Sequence, residues 1–392
     1  MSKPGVQPDI QPGQWLGMLG GGQLGRMFCH AAQSLGYKVA VLDPDPQSPA
    51  GAVAELHIQA AYDDTAGLAQ LAARCKAVTT EFENVPALSL DSLARTALTR
   101  PGAHAVAVVQ DRIREKAFLD SSGVRVAPYL AVEKVEDLAR AADSLFPGIL
   151  KVARLGYDGK GQARIASRQE AERAFHELGG KPCVLEALLP LEREISVVLA
   201  RSADGTTVFY PSATNEHRDG ILAVSSVDAA AADALSSQAG AAALRIAEAL
   251  EYVGVLCVEF FVLQDGSLVA NEIAPRPHNS GHYTMNASVA SQFEQQVRAT
   301  AGLPLADTGS LCSVVMLNLL GDLWFDPATA ALREPDWAAV LAVPGAQLHL
   351  YGKAEARRGR KMGHINVLGG SLAQARERAA QAAAALGLPF EA

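Results

Sequence analysis

Residues 254–277, GVLCVEFFVLQDGSLVANEIAPRP, decide how the rest of the chain is read. Two apolar runs flank Asp265 and Gly266, a dipeptide that reverses a strand because both residues tolerate positive φ. A two-residue turn pairs positions whose numbers sum to 531, so Gln264 faces Ser267 and Glu259 faces Glu272 on one side of the hairpin. Like charges directly opposed in a sheet repel. A cation between the carboxylates accounts for them, and oxygen ligands joined by nucleotide phosphates suit Mg²⁺. A solvated face with diverging side chains is the other account, and the surrounding Cys, Val, Phe and Ile residues favour the cation.

Downstream, PRPHNSGHYT carries His278 and His282 at i, i+4, a zinc spacing only on a helix. Pro275, Pro277 and Gly281 argue for a loop of amide, hydroxyl and imidazole groups instead. Ser291 and Glu294 then form a capping box, and Gly302 ends the helix they open. Near the C-terminus Lys353, Arg357, Arg358, Arg360 and Lys361 crowd one segment. A solvated face or a pocket for one small phosphate fits it better than a nucleic-acid patch, because aromatic residues are scarce there.

Upstream, residues 147–167 predict two short strands, around Lys151 and Arg164, joined by Gly156, Tyr157, Asp158, Gly159, Lys160, Gly161 and Gln162. Three glycines free backbone amides to meet an anion, and Lys151 and Lys160 add positive charge. A plain hairpin turn needs fewer glycines. Glu186 then ends one strand and Glu194 enters the next, a linker whose backbone and carboxylates suit a nucleoside.

At the N-terminus, residues 15–46 read as strand, glycine turn, amphipathic helix and strand, a βαβ unit. Leu24, Met27, Phe28, Ala31, Ala32 and Leu35 form the buried stripe, and Gly36 stops the helix. Gly20, Gly22 and Gly25 fit G-x-G-x-x-G, with Asp43 where a ribose-binding acid would stand, so a nicotinamide site is one reading and any phosphorylated ligand another. Glu81 and Glu83 share a face if that segment is extended, one of them toward a crevice ligand. Pro101 and the helix after Gln110 mark a change of unit.

The 392 residues predict two or three domains, and 49% hydrophobic with 19% charged residues describe a folded globular chain. Thirty-four basic against 42 acidic residues give a net charge of -8, which disfavours nucleic acid as a partner. Cys29, Cys75, Cys183, Cys257 and Cys312 lie far apart in apolar surroundings and read as reduced. The first residues lack the apolar run of a signal peptide and no stretch is apolar enough to span a membrane, so a cytoplasmic chain with a loose tail is expected.

Taken together, GGGQLGR, TTEFENV, QDR, LGYDGKGQ, EREISV, NEIAPRPHNSGH and GRKMGHIN resemble the 5-(carboxyamino)imidazole ribonucleotide synthases, ATP-grasp ligases of purine biosynthesis. The resemblance implies an α/β and α+β chain. It divides into a flexible tail (1–14), a Rossmann-like pre-ATP-grasp domain (15–110), an ATP-grasp domain (111–305) with a glycine-rich lid at about 120–190, and a C-terminal domain (306–392). It implies a homodimer that uses ATP, Mg²⁺ and bicarbonate to carboxylate the exocyclic amine of aminoimidazole ribonucleotide through carboxyphosphate. ATP would be held by Arg112, Lys151, the loop from Gly156 to Gln162, Glu186, Ala187, Leu188, Leu189, Glu194, His217, Asn271 and Glu272. Glu259 and Glu272 would carry the metal. The ribonucleotide would meet Gln23, Leu24, Glu81 or Glu83, Tyr157, Asp158, Arg276, His278, Asn279 and Ser280, with its phosphate on Lys353 and Arg360. Asp158, Arg276 and Lys353 are the catalytic candidates, with Asp158 as proton acceptor. Ala274 stands where many ATP-grasp enzymes have asparagine. Rival expectations are a formate-dependent glycinamide ribonucleotide formyltransferase, a nicotinamide-dependent oxidoreductase, and a noncatalytic nucleotide sensor.

Overall fold

The computed structural model describes residues 9–156, 161–231 and 234–390; Tyr157, Asp158, Gly159 and Lys160 lie outside the described residues. Strands β1 (Trp15–Leu19), β2 (Lys38–Leu42), β3 (Leu56–Ile58), β4 (Ala77–Thr80) and β5 (Leu98–Thr99) make a parallel sheet ordered β3-β2-β1-β4-β5. The order reverses at β1 and β4, so the segments leaving those two strands face each other across the crevice where such sheets bind ligands. The helix Gln23–Ser34 buries Leu24, Met27, Phe28 and Ala32, as its spacing predicts, and Gly36 at φ +81° lies just past its end.

Two residues of the expected flexible tail, Asp9 and Ile10, are held against the body of the chain. Ile10 is buried and its amide donates to the Ala301 carbonyl (3.0 Å), while Asp9 pairs with Arg100 at 2.7 Å. One isoleucine and one ion pair therefore dock residues that proline and glycine had suggested were loose.

Strands β6 (Tyr129–Val132), β7 (Gly148–Val152), β8 (Gln162–Ile165) and β9 (Cys183–Ala187) form an antiparallel sheet ordered β6-β9-β7-β8. With the helix Arg168–Glu177 it has its own core around Leu150, Phe175 and Leu185. Nine strands make the third sheet: β10 (Leu191–Arg201), β11 (Thr207–Phe209), β12 (Ala213–Arg218), β13 (Ile221–Val227), β14 (Gly254–Leu263), β15 (Leu268–Ala274), β16 (Ser313–Leu320), β17 (Ala346–Leu350) and β18 (Lys361–Gly369). Because β13 pairs with β16 through Val224–Leu317 to Val227–Val314, this sheet continues across the loop where the last domain was expected to begin.

The β14–β15 hairpin reaches the expected pairing by a different path. Gly266 donates to Leu263 and Leu263 to Ser267, so the loop has three residues, with Gly266 at φ +78°. Gln264 therefore does not face Ser267, and Phe260 faces Ala270, one position off the two-residue register. Asn271 is then an extra residue, a bulge that shifts the register back. Glu259 faces Glu272 because the two offsets cancel.

All five cysteines are free, and four are buried.

Candidate active site

Two polar cavities of about 130 and 220 Å³ lie side by side where the three sheets meet, sharing Arg112, Glu272, His278 and Lys361. Two larger grooves, of about 740 and 620 Å³, lie away from the hairpin carboxylates. Chemistry rather than size selects the smaller pair, because carboxylates, cations and orphaned amides converge there.

Glu259 is buried, and its Oε1 has no hydrogen-bond partner among the described residues. Burial, and next the Glu272 charge, push its carboxyl up to about 8. His217 reaches Glu194 through Nδ1 at 2.7 Å. Burial works against a charge on that imidazole, but Glu194, Glu259 and Glu272 outweigh it and raise its pKa. One ligand atom each from Glu194, His217 and Glu259 lie within 4.8 Å of one another. A buried carboxylate with an orphaned oxygen, facing a second carboxylate, fits a hard divalent cation. Glu272 is held from the other side by Arg112 at 3.3 Å.

Lys151 on β7 stands 3.1 Å from Glu186 Oε1. Burial alone would raise the Glu186 pKa, but Lys151 and Lys116 hold it at about 2. Ala187, Leu188 and Leu189 follow as a connector between the small and large sheets, with the Leu188 amide on the Pro147 carbonyl and the Leu189 carbonyl accepting from Leu191. Gly161 sits at φ +72° with its carbonyl accepting from Val152, and Gln162 opens β8 opposite Lys151. Asn271 Oδ1 is buried without a partner among the described residues.

The glycine turn is occupied by the chain itself. The Glu81 carboxylate accepts from the amides of Gly22 and, at 2.8 Å, Gly25, filling the anion position at this helix N-terminus. Asp43 accepts from Gly21 and from the Tyr62 hydroxyl, both at 2.6 Å. Asp43, the acid that fitted a dinucleotide fingerprint, is thus consumed in holding the turn, and Glu81 occupies the anion position, which removes the physical basis for the nicotinamide reading. Glu81 and Glu83 also do not share a strand face: they follow β4 in a bend, and Glu83 instead pairs with Arg276 at 2.7 Å and lines the smaller cavity.

The loop after β15 turns at Asn279–Gly281 as a short 3-10 helix, not as a zinc-binding helix. His278 Nδ1 lies 2.8 Å from Ser280 Oγ, and burial, then Arg276 and Lys361, push the imidazole well below its usual pKa. Both amide atoms of Asn279 are buried without partners among the described residues. His282 lines neither cavity and packs against His364 with the rings tilted by 31° and their centroids 4.7 Å apart. Gln23, Leu24, Glu81, Lys353 and Arg360 line neither cavity. Leu24 packs with Met27, Phe293 and Tyr351; Lys353 donates to the Lys361 carbonyl at 2.6 Å, and Arg360 to the Glu355 carbonyl at 2.9 Å.

Sequence reasoning named Lys361 only as one of a basic run, although it lines both cavities, and passed over Glu115, which lines the smaller one, and Lys116 behind them. Arg112 and Lys116, four apart on one helix, were the available signal for the last two. For Lys361 there was only the basic run, in which nothing separates a site lysine from a solvated one.

The chain matches three families along its length: the ribonucleotide synthetase preATP-grasp domain (residues 14–110), the ATP-grasp domain (117–293) and the phosphoribosylaminoimidazole carboxylase C-terminal domain (314–378). It is 48% identical over 360 residues to the N5-carboxyaminoimidazole ribonucleotide synthase of Brucella melitensis, covering 91% of this chain and 97% of that one. The synthase of Bacillus subtilis is 41% identical, covering 92% of each. The crystal structure of N5-carboxyaminoimidazole ribonucleotide synthetase from Thermus thermophilus superposes with a TM-score of 0.86 at 40% identity, covering 96% of this chain and all of that one. The Aspergillus clavatus synthase in complex with ADP and 5-aminoimidazole ribonucleotide gives 0.85 at 29% identity, covering 95% and 98%.

Proposed function

The chain belongs to the N5-carboxyaminoimidazole ribonucleotide synthases, an ATP-grasp family, and from that membership we propose how its site is divided between two substrates. The protein is an ATP-dependent carbon–nitrogen ligase of purine biosynthesis. With ATP and bicarbonate it carboxylates the exocyclic amine of aminoimidazole ribonucleotide through carboxyphosphate.

ATP takes the larger cavity. Lys151 and Arg112 neutralise its phosphates, the connector of Glu186, Ala187, Leu188 and Leu189 meets the base through its backbone, and Glu194, His217 and Asn271 complete the nucleotide contacts. Gly156, Gly161 and Gln162 flank the loop that closes over the phosphates; Tyr157, Asp158, Gly159 and Lys160, outside the described residues, belong to the same proposal. Glu259 and Glu272 would hold Mg²⁺, which when bound spreads the charge of the transferring phosphoryl group. The single observation that carries this half is the Glu259–Glu272 pair beside Arg112: two opposed carboxylates, one with an oxygen lacking a hydrogen-bond partner among the described residues, repel when both are charged, and a cation between them relieves that repulsion.

The ribonucleotide takes the smaller cavity and the adjoining crevice. Arg276, positioned by Glu83, and the neutral His278 face it, Asn279 and the Ser280 hydroxyl supply hydrogen bonds where the two cavities adjoin, Gln23, Leu24 and Glu81 meet the ribose side, and Lys353 and Arg360 take the phosphate. Catalysis is positioning and charge neutralisation, because a loose phosphoryl transition state asks for little covalent help. Arg276 and Lys353 orient the acceptor, and Asp158 takes the proton from the amine. The boundaries 15–110, 111–305 and 306–392 are supported by the three family matches. A cytoplasmic homodimer completes the proposal; among the described residues no helix is long and apolar enough to cross a membrane.

ADP release with ATP and Mg²⁺ tests the reading. Release that needs both aminoimidazole ribonucleotide and bicarbonate supports it. Release with formate in place of bicarbonate would point to a formyltransferase, and none under any condition to a nucleotide sensor.

A further inference from the structure

Behind the ATP cavity, one carboxylate stands between two lysines. Glu186 Oε2 is 3.1 Å from the Lys116 ammonium and Oε1 is 3.1 Å from that of Lys151. Lys151 lines the cavity; Lys116 does not, and its side chain is 1% exposed. Lys116 also donates to the Asn271 carbonyl at 2.9 Å, while its neighbour Glu115 accepts from the Ile273 amide at 2.6 Å. The helix Arg112–Ser121 therefore grips the backbone on both sides of Glu272, at the bulge, while Arg112 holds the Glu272 side chain.

One carboxylate cancels one ammonium. If Lys151 alone faced Glu186, the pair would be neutral and the triphosphate would meet no net charge there; buried attraction would also draw the ammonium back from the cavity. A second lysine on the protein side leaves the group with one positive charge in excess, and only Lys151 can present it to a ligand.

We infer that Lys116 is a positioning residue for ATP: it takes up the Glu186 carboxylate from behind, leaving the Lys151 charge for the phosphates, and it pins the bulge that carries Asn271 and Glu272. The inference rests on the ATP role proposed for Lys151.

The test measures KM for MgATP and for aminoimidazole ribonucleotide in four variants, with circular dichroism as the check on folding. Lys116→Met should raise the ATP KM about tenfold or more and leave the ribonucleotide KM within about twofold. The double variant K116M/E186Q should return the ATP KM to within about threefold of wild type, a rescue that a purely structural role does not produce. Lys116→Arg, which keeps the charge, should stay near wild type. An unchanged ATP KM in K116M, or a double variant no better than the single, overturns the inference. Lys151→Met separates the two layers: if it leaves the ATP KM unchanged, the assignment of Lys151 to ATP fails, whereas an impaired K151M beside a normal K116M defeats the Lys116 inference alone. Should K116M not fold, K116R decides: folded, with ATP KM near wild type, it upholds the inference, and folded with a tenfold loss it overturns it.

Discussion

Glu259 has a folded-state pKa of about 8, set by burial and by the facing Glu272. An acid whose folded pKa lies above its unfolded value keeps its proton in the folded protein while the unfolded chain has released it. The folded state therefore binds more protons between pH 4.5 and about 8, so this residue makes stability fall as pH rises through that window and level off above it. Glu259→Gln removes the titration, and every other group cancels in the comparison with wild type. In the absence of nucleotide and metal, E259Q should match wild type near pH 5 and become more stable by on the order of 1–3 kcal/mol at pH 8. Melting curves at several pH values check this, and a gap that does not change with pH would count against it. Adding Mg²⁺ and ATP should reverse the order, because only the wild type then gains a ligand for its carboxylate. The residue is tuned for an occupied site at the expense of an empty one.

At the scale of elements, the turn between β1 and the helix Gln23–Ser34 illustrates how a motif can keep its geometry and change its ligand. Glycines let backbone amides converge on an anion, and in this chain the anion is the Glu81 carboxylate, delivered by the segment after β4. Gly25 is needed for packing: a Cβ there would lie 2.8 Å from the Gly20 carbonyl oxygen and 3.1 Å from Ala50 Cβ. Neither can move without the turn itself moving. Gly25→Ala should cost roughly 1–3 kcal/mol as strain and weaken ribonucleotide binding more than ATP binding. Denaturant melts and the two KM values check both parts, and a variant as stable as wild type would refute the account. The hairpin teaches the complementary point. Its facing carboxylates survive a three-residue loop only because Asn271 inserts a compensating residue, and the helix Arg112–Ser121 takes up backbone groups on either side of Glu272.

At the scale of the whole molecule, the large sheet does not stop where the ATP-grasp strands end. Val224, Ser225, Ser226 and Val227 of β13 pair with β16, and Val224 shares a core with Val315, Leu317 and Ile365. A chain ending before Ser313 would bare an apolar strand edge, so it should aggregate rather than fold as a nucleotide-binding fragment. Soluble expression with native-like circular dichroism would refute that expectation. The sequence by itself determined the local and periodic features. The helix stripe from Leu24, the reversal at Asp265 and Gly266 and the order of motifs are all set by neighbours a few residues apart, where propensity and spacing act directly. Tertiary structure alone decided which charges meet. Glu81 fills the glycine turn, Glu83 pairs with Arg276 across 193 positions, Lys116 reaches Glu186, and Lys361 rather than its basic neighbours lines both cavities. Such pairings depend on which sheet edges abut and on which groups are deprived of water, and electrostatic partners separated by a hundred residues leave no periodic trace in the chain.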